Sequence, residues 1–241
     1  MNATRKAIAM AIPQQYGQGT IEFQIIAAMI LFPLLLFVVQ IGLLIMAKNT
    51  LNVATLNAAR AGAASGIGEA AMKDSLAFGL APLNATKAKV AVGVGTGEIT
   101  GGMGGKYPAI MGAALVKTRA ENMLLARITV LNPTRKAFQD FGQDKAGKRV
   151  IPVTGVYDNG EVGPTSRQTR ADALLLKIEV RYCAELAIPI INTIMREVLS
   201  SPWSGPSADD LICYGLERMP MNSQAVVRIT VPPVRTALIR S

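Results

Sequence analysis

From Phe23 to Ala47 the chain carries no charged side chain, and only Gln24 and Gln40 are strongly polar. A run of about 25 apolar residues is long enough to cross ~30 Å of hydrocarbon as a somewhat tilted helix. No second run of that length occurs in the 241 residues, so a single membrane crossing is expected. The mean hydropathy of +0.32, high for a purely soluble protein, has its source here. What remains is enough for one folded domain but not for several.

Pro33 lies inside the run. It has no backbone N–H and frees the carbonyl of Met29, so a kink or local melting of the helix is expected, of a kind membrane helices tolerate. Beyond Ala47 the helix should continue. Leu51, Ala54, Ala58 and Ala61 recur at helical spacing, Ala-rich sequence runs to Ala64, and Gly66 and Gly68 end it. A helix from Thr20 to Ala64 has about 45 residues and would be roughly 65–70 Å long. Its outer half is expected to lie against the soluble domain or against neighbouring subunits.

Residues 1–17 read MNATRKAIAMAIPQQYG, with Arg5 and Lys6 as their only charges. The apolar patch from Ala7 to Ile12 is shorter than a typical secretory core, and Pro13-Gln14-Gln15 ends it. The main apolar run begins after Gly17. An apolar segment beyond a cut site is retained as an anchor.

The stretch Gly17-Gln18-Gly19-Thr20-Ile21-Glu22-Phe23 resembles the type IV prepilin processing site, and within it the TadE-like subfamily, which reads much like R-G-Q-A-x-V-E-F before an apolar helix. Gly17, Gln18, Glu22 and Phe23 match. Ile21 replaces Val, and Tyr16 stands where a basic residue is often found. The segment Leu56–Ala63, LNAARAGA, is similar to the Ala-Ala-Arg stretch that ends the family's helix. The resemblance covers about the first 65 residues and extends more loosely to Leu124–Gly142 and Ala171–Asn192, which look like strands of longer members.

The resemblance implies a minor pilin or pseudopilin of the Flp/Tad (type IVc) pilus system, acting in pilus assembly and adherence. Its partners would be prepilin peptidase, other pilin subunits and the Tad inner-membrane assembly proteins. It implies cleavage between Gly17 and Gln18. It also implies an assembly role for Glu22, beside Phe23, in neutralising the new N-terminus of an adjacent subunit. A carboxylate at the edge of an apolar helix is costly and rarely lacks a partner, and the macrodipole favours an acid at a helix start. Both roles remain open to Glu22. A pseudopilin of a type II secretion system shares this N-terminal chemistry, and a membrane-tethered periplasmic binding module is a further alternative.

Arg5 and Lys6 precede the apolar run while Lys48 and Arg60 follow it, so the positive-inside balance is nearly even. The expected placement in the bacterial inner membrane rests on the resemblance and the cysteines: leader in the cytoplasm, C-terminal domain in the periplasm, with incorporation into a surface pilus. Cys183 and Cys213, the two cysteines, suit one disulfide in an oxidising compartment, and two separate buried thiols are the alternative. The net charge of +9 is spread over the chain. It suits a solvated basic surface or attraction to anionic partners. Without a basic block or aromatic interleaving it gives no case for specific nucleic-acid binding.

The expected domains are a leader over 1–17, a long helix over 18–65 with its membrane span at about 23–47, and an α+β domain over 66–241. In that domain helices are expected over Glu69–Leu80, Pro108–Met123, Thr134–Phe141 and Pro189–Leu199. Strands are expected over Ala126–Leu131, Arg149–Val153, Leu174–Cys183 and Ala225–Val231. In Leu174–Cys183 apolar Leu176, Ile178, Val180 and Tyr182 alternate with Lys177, Glu179 and Arg181, the pattern of an antiparallel sheet with one wet face. Val90–Gly105 is Gly-rich, but Gly105-Lys106 is followed by Tyr107, so it fits a flexible loop and no phosphate-binding motif. Tyr157–Gly160 reads as a turn, and Ser201–Pro206 as a loop holding Trp203.

No catalytic set is found. The absence of histidine excludes a Ser-His-Asp triad and leaves no basis for a zinc site. Asp209-Asp210, the only adjacent acidic pair, suits a helix cap or flank better than a metal site. The Asp-x-Ser-x-Ser metal motif of larger TadG-like relatives is missing. No enzyme activity, cofactor or metal is therefore expected. The fold expected is α+β and pilin-like: a long N-terminal membrane-spanning helix packed on or leading to a small antiparallel-sheet domain.

Overall fold

The computed structural model describes residues 18–91, 107–145, 147–154, 160–186, 208–216, 218–236 and 238–239. The leader with Gly17, most of the Gly-rich loop and of the turn before Gly160, the helix expected over Pro189–Leu199 and the loop holding Trp203 lie outside these residues.

The N-terminal helix is one rod in three parts: α1 (Gln18–Ile26), a π-helical turn (Ala27–Leu31) and α2 (Phe32–Ala64). In place of the kink or local melting expected at Pro33, a π turn precedes it and the helix continues from Thr20 to Ala64. The ring of Pro33 crowds the preceding turn, and the helix widens there. Phe32 N–H donates to the carbonyl of Ala27, five residues back, in place of the usual four. The rod bends its hydrogen bonding without breaking.

Two surfaces succeed one another along this rod. In its first half apolar side chains are exposed on nearly every side, with Phe23 at 68% and Met29 at 75%. From Leu51 onward one face is covered: Leu51, Ala54, Thr55, Ala58, Ala59, Gly62 and Ala63 are buried. The helix closes at Ser65, whose hydroxyl returns to the Ala61 carbonyl at 2.7 Å. Gly66 then takes φ +66°, and a Cβ there would meet the Pro232 carbonyl oxygen at 2.7 Å, so only glycine fits the reversal.

The chain turns back along α2 as α3 (Glu69–Ala91), which in turn packs against α4 (Tyr107–Leu125). The expected end of α3 at Leu80 is corrected, because the helix runs through Pro82 to Ala91. Leu80 and Ala81 are fully buried, and this packing outweighs the proline's local penalty. Between α3 and α4 the buried Asn84 amide donates to Thr118 Oγ1 at 3.0 Å.

From α4 the chain enters β1 (Ala126–Asn132), a cis Asn132–Pro133 bond, and α5 (Arg135–Phe141), capped by Thr134 as its side chain accepts from Ala137 N–H. A short hairpin of β2 (Gln143–Lys145) and β3 (Lys148–Val150) follows, then α6 (Arg170–Ala173), β4 (Leu175–Glu185), α7 (Ala208–Gly215) and β5 (Arg218–Arg228). Two strand expectations are corrected. The strand near Arg149 ends at Val150 and pairs with β2. The last strand starts at Arg218 and stops at Arg228, because β4 supplies an 11-residue partner that carries the pairing across Pro220.

The main sheet is antiparallel in the order β1-β4-β5, and Pro220 sits on its edge strand, where a missing N–H is tolerated. The alternation read in β4 holds. Leu176, Ile178, Val180 and Tyr182 face α2 and α3 and form the core with Ile128, Val130, Met221 and Ala225. The α+β plan of a long apolar helix joined to a small antiparallel sheet is the one the sequence implied.

Candidate assembly site on the N-terminal helix

Glu22 is the only charged residue between Lys6 and Lys48. It lies in α1, four residues after Gln18, so the start of the described helix and the carboxylate are one turn, roughly 6 Å, apart along the axis. Glu22 is exposed, as are Ile21, Phe23, Gln24 and Ile25 around it. The carboxylate thus stands at the end of an apolar rod with its own domain far along the chain. The continuous helix Thr20–Ala64 is long and apolar enough to cross a membrane, and only 6% of its most apolar window is buried. Exposed apolar surface of that extent needs lipid or other helices around it.

Gly17 lies outside the described residues, so its relation to Gln18 is known from sequence alone. The structure brings Gln18, Glu22 and Phe23 onto one helix and keeps Cys183 and Cys213 at the far end of the chain, where they form a disulfide with Cα atoms 5.4 Å apart. Cys183 shares its sheet face with Arg181, Glu179 and Lys177, opposite the core. The disulfide therefore holds α7 on the outer face of the sheet, and Asp210 of α7 pairs with Arg181. Asp209-Asp210 belong to the first turn of this helix.

Two contacts between the domain and the helix just past the apolar run were not read from sequence. Lys48, the first charge after the apolar run, donates from Nζ to the carbonyl of Asn222 in β5. One turn further, Asn52 Oδ1 accepts from Ser223 Oγ at 2.8 Å. A lysine just past an apolar run is a visible signal, but its partner, 174 residues away, is not. Gln40 is 1% exposed, the one buried position amid an exposed stretch.

Elsewhere, a cavity of about 220 Å³ lies between α3, α4 and β1, floored by Leu76, Ala77 and Ile128. Its charged rim is self-paired, Arg119 with Asp74 at 3.0 Å and neighbouring Lys73 with Glu69 at 2.6 Å. Asp140 of α5 clasps the 163–168 loop, accepting from Ser166 N–H at 2.7 Å and Thr165 N–H at 3.1 Å. Desolvation works against its charge, but the hydrogen bonds from Ser166 and then Thr165 outweigh it and hold the carboxyl below its ordinary range. Among the described residues no group of three or more His, Cys, Asp or Glu could hold a metal ion.

A comparison with curated proteins and with solved structures finds no match. Residues 17–60 match the family described as TadE-like protein, and residues 61–241 lie outside that match. That match covers the segment that holds Gln18, Glu22 and the whole apolar run, and it is consistent with a TadE-like protein of the Tad pilus system.

Proposed function

We propose that the chain is a minor pilin of a Tad/Flp-type type IV pilus, cut after Gly17 by a prepilin peptidase and then assembled through its N-terminal helix into a filament that serves adherence. The observation that carries this reading is an exposed Glu22 one turn beyond Gln18, on a helix that carries no other charge before Lys48 and whose sequence over residues 17–60 matches the TadE-like family. Cleavage would create an ammonium on Gln18. In the anchored protein it stays near the aqueous edge. When helices leave lipid and bundle, that ammonium and the Glu22 carboxylate of a neighbouring subunit neutralise each other, which removes the cost of two isolated charges in an apolar setting. The leader stays in the cytoplasm and the domain lies in the periplasm, where the Cys183–Cys213 bond forms. The protein is a structural component and turns over no substrate.

The test is co-expression with a prepilin peptidase. The protein should shorten by the 17-residue leader, its new N-terminus should be Gln18, and a bulky replacement at Gly17 should block the change. A mature N-terminus at any other residue overturns the assignment.

A further inference from the structure

We propose that α7 is an interfacial helix that lies in the outer edge of the bilayer, with Leu211, Ile212 and Leu216 entering the lipid. The proposal rests on the membrane-anchor reading of the N-terminal helix. These three side chains are 50%, 59% and 53% exposed, while Cys213 between them is buried against the sheet. A short helix pinned on one side by a disulfide and an ion pair, and apolar on its open side, needs a cover.

The register of β5 against α2 says at what depth that cover lies. Lys48 meets Asn222, and Ala63 accepts from Thr230 Oγ1 at 3.2 Å, so β5 runs in the same direction as α2, away from the membrane segment. The lengths agree: Asn222 to Thr230 is roughly 26 Å of strand, and Lys48 to Ala63 is roughly 22 Å of helix. Residues before Asn222 therefore point back toward the bilayer. Pro220, the partner of Cys183, lies about 6–7 Å below Asn222, level with about Leu44. Leu44 and Ala47 are partly buried against the domain core, so the domain does reach below Lys48. The disulfide fixes α7 at this depth. An interfacial helix buries its apolar face about 5–10 Å into the headgroup and acyl boundary, which matches. The span that remains before the buried Gln40, Phe23 to Val39, is roughly 25 Å of helix, at the short end of what crosses a bilayer.

The test uses the full chain in phosphatidylethanolamine–phosphatidylglycerol vesicles, with a polarity-sensitive fluorophore on single introduced cysteines. Both native cysteines are held in the disulfide and do not react. Ile212→Cys reports on α7, and Leu216→Cys repeats the measurement should the first variant misfold. Gly42→Cys, with open space around its Cβ, reports on the span, and Lys145→Cys on the exposed hairpin far from the membrane. At Ile212 the emission should shift to the blue, quenching by iodide should be lost, and spin labels near the lipid headgroup should quench strongly. Lys145→Cys should show the reverse, and Gly42→Cys should respond to deep spin labels. If Gly42 lies in lipid while Ile212 and Leu216 behave like Lys145, the interfacial helix is overturned and the anchor stands. If Gly42 is also quenched by iodide, the anchor reading falls and this proposal with it.

Discussion

At the scale of single residues, Asp140 shows how one carboxylate organises a loop. Its oxygens take the N–H groups of Thr165 and Ser166, and the same loop closes on itself where Arg167 N–H meets the Gly163 carbonyl at 2.9 Å. Thr169 then caps α6 in a capping box with Asp172, so the loop is held at both ends by acid side chains. Because the folded carboxyl titrates below its ordinary value of 3.8, the clasp contributes above the unfolded value and is lost as pH falls through the depressed folded value. Carboxyl-resolved NMR titration of the soluble part should place the Asp140 midpoint under 3.8. Asp140→Asn should weaken protection of the Thr165 and Ser166 amides at neutral pH and leave the core amides of β4 unchanged. A midpoint at or above the ordinary value sinks this account of the loop.

At the scale of elements, α2 and α3 approach each other closely at Gly79 and Ala54. A Cβ at Gly79 would stand 2.6 Å from Ala54 Cβ and 2.7 Å from its Cα, so backbone would have to move. Gly79→Ala gains up to ~1 kcal/mol of helix propensity but incurs overpacking of about 1–3 kcal/mol, for a net loss of about 1 kcal/mol. Gly112→Ala in α4 meets nothing within 4 Å and should be neutral or stabilising. Chemical denaturation of the two variants side by side checks this, and equal stabilities would show that the helices do not pack so tightly. Such contacts explain what was legible in the sequence. Leu176, Ile178, Val180 and Tyr182 announced β4 because a two-residue period needs no partner to be seen. The length of α3 past Pro82, the β2–β3 hairpin and the front half of β5 were not legible. Each depends on packing or pairing across the chain, and Pro82 and Pro220 are local signals that the tertiary partner overrides.

At the scale of the whole molecule, a domain packs on one end of the rod, while among the described residues the apolar side chains toward its other end are exposed. The Glu22 neighbourhood was legible because spacing along one helix is set by sequence alone, whereas the Lys48–Asn222 contact that joins β5 to the rod depends on the fold. The proposed role of Glu22 makes a prediction about assembly. Glu22→Ala should still insert, since loss of a charge makes the segment more apolar. Cleavage should largely persist, because Gly17 and the apolar run are unchanged. Entry into filaments should fail. Without the carboxylate, the ammonium at Gln18 goes unpaired into an apolar bundle, a cost of several kcal/mol, and every ~1.4 kcal/mol is a tenfold loss in association. Glu22→Asp keeps the charge on a side chain one methylene shorter and should fall between the two. The quantity to measure is processed protein in sheared surface filaments relative to processed protein left in the membrane. Wild-type filament levels for Glu22→Ala would remove charge pairing as the reason for Glu22 and leave it an acid that favours a helix start.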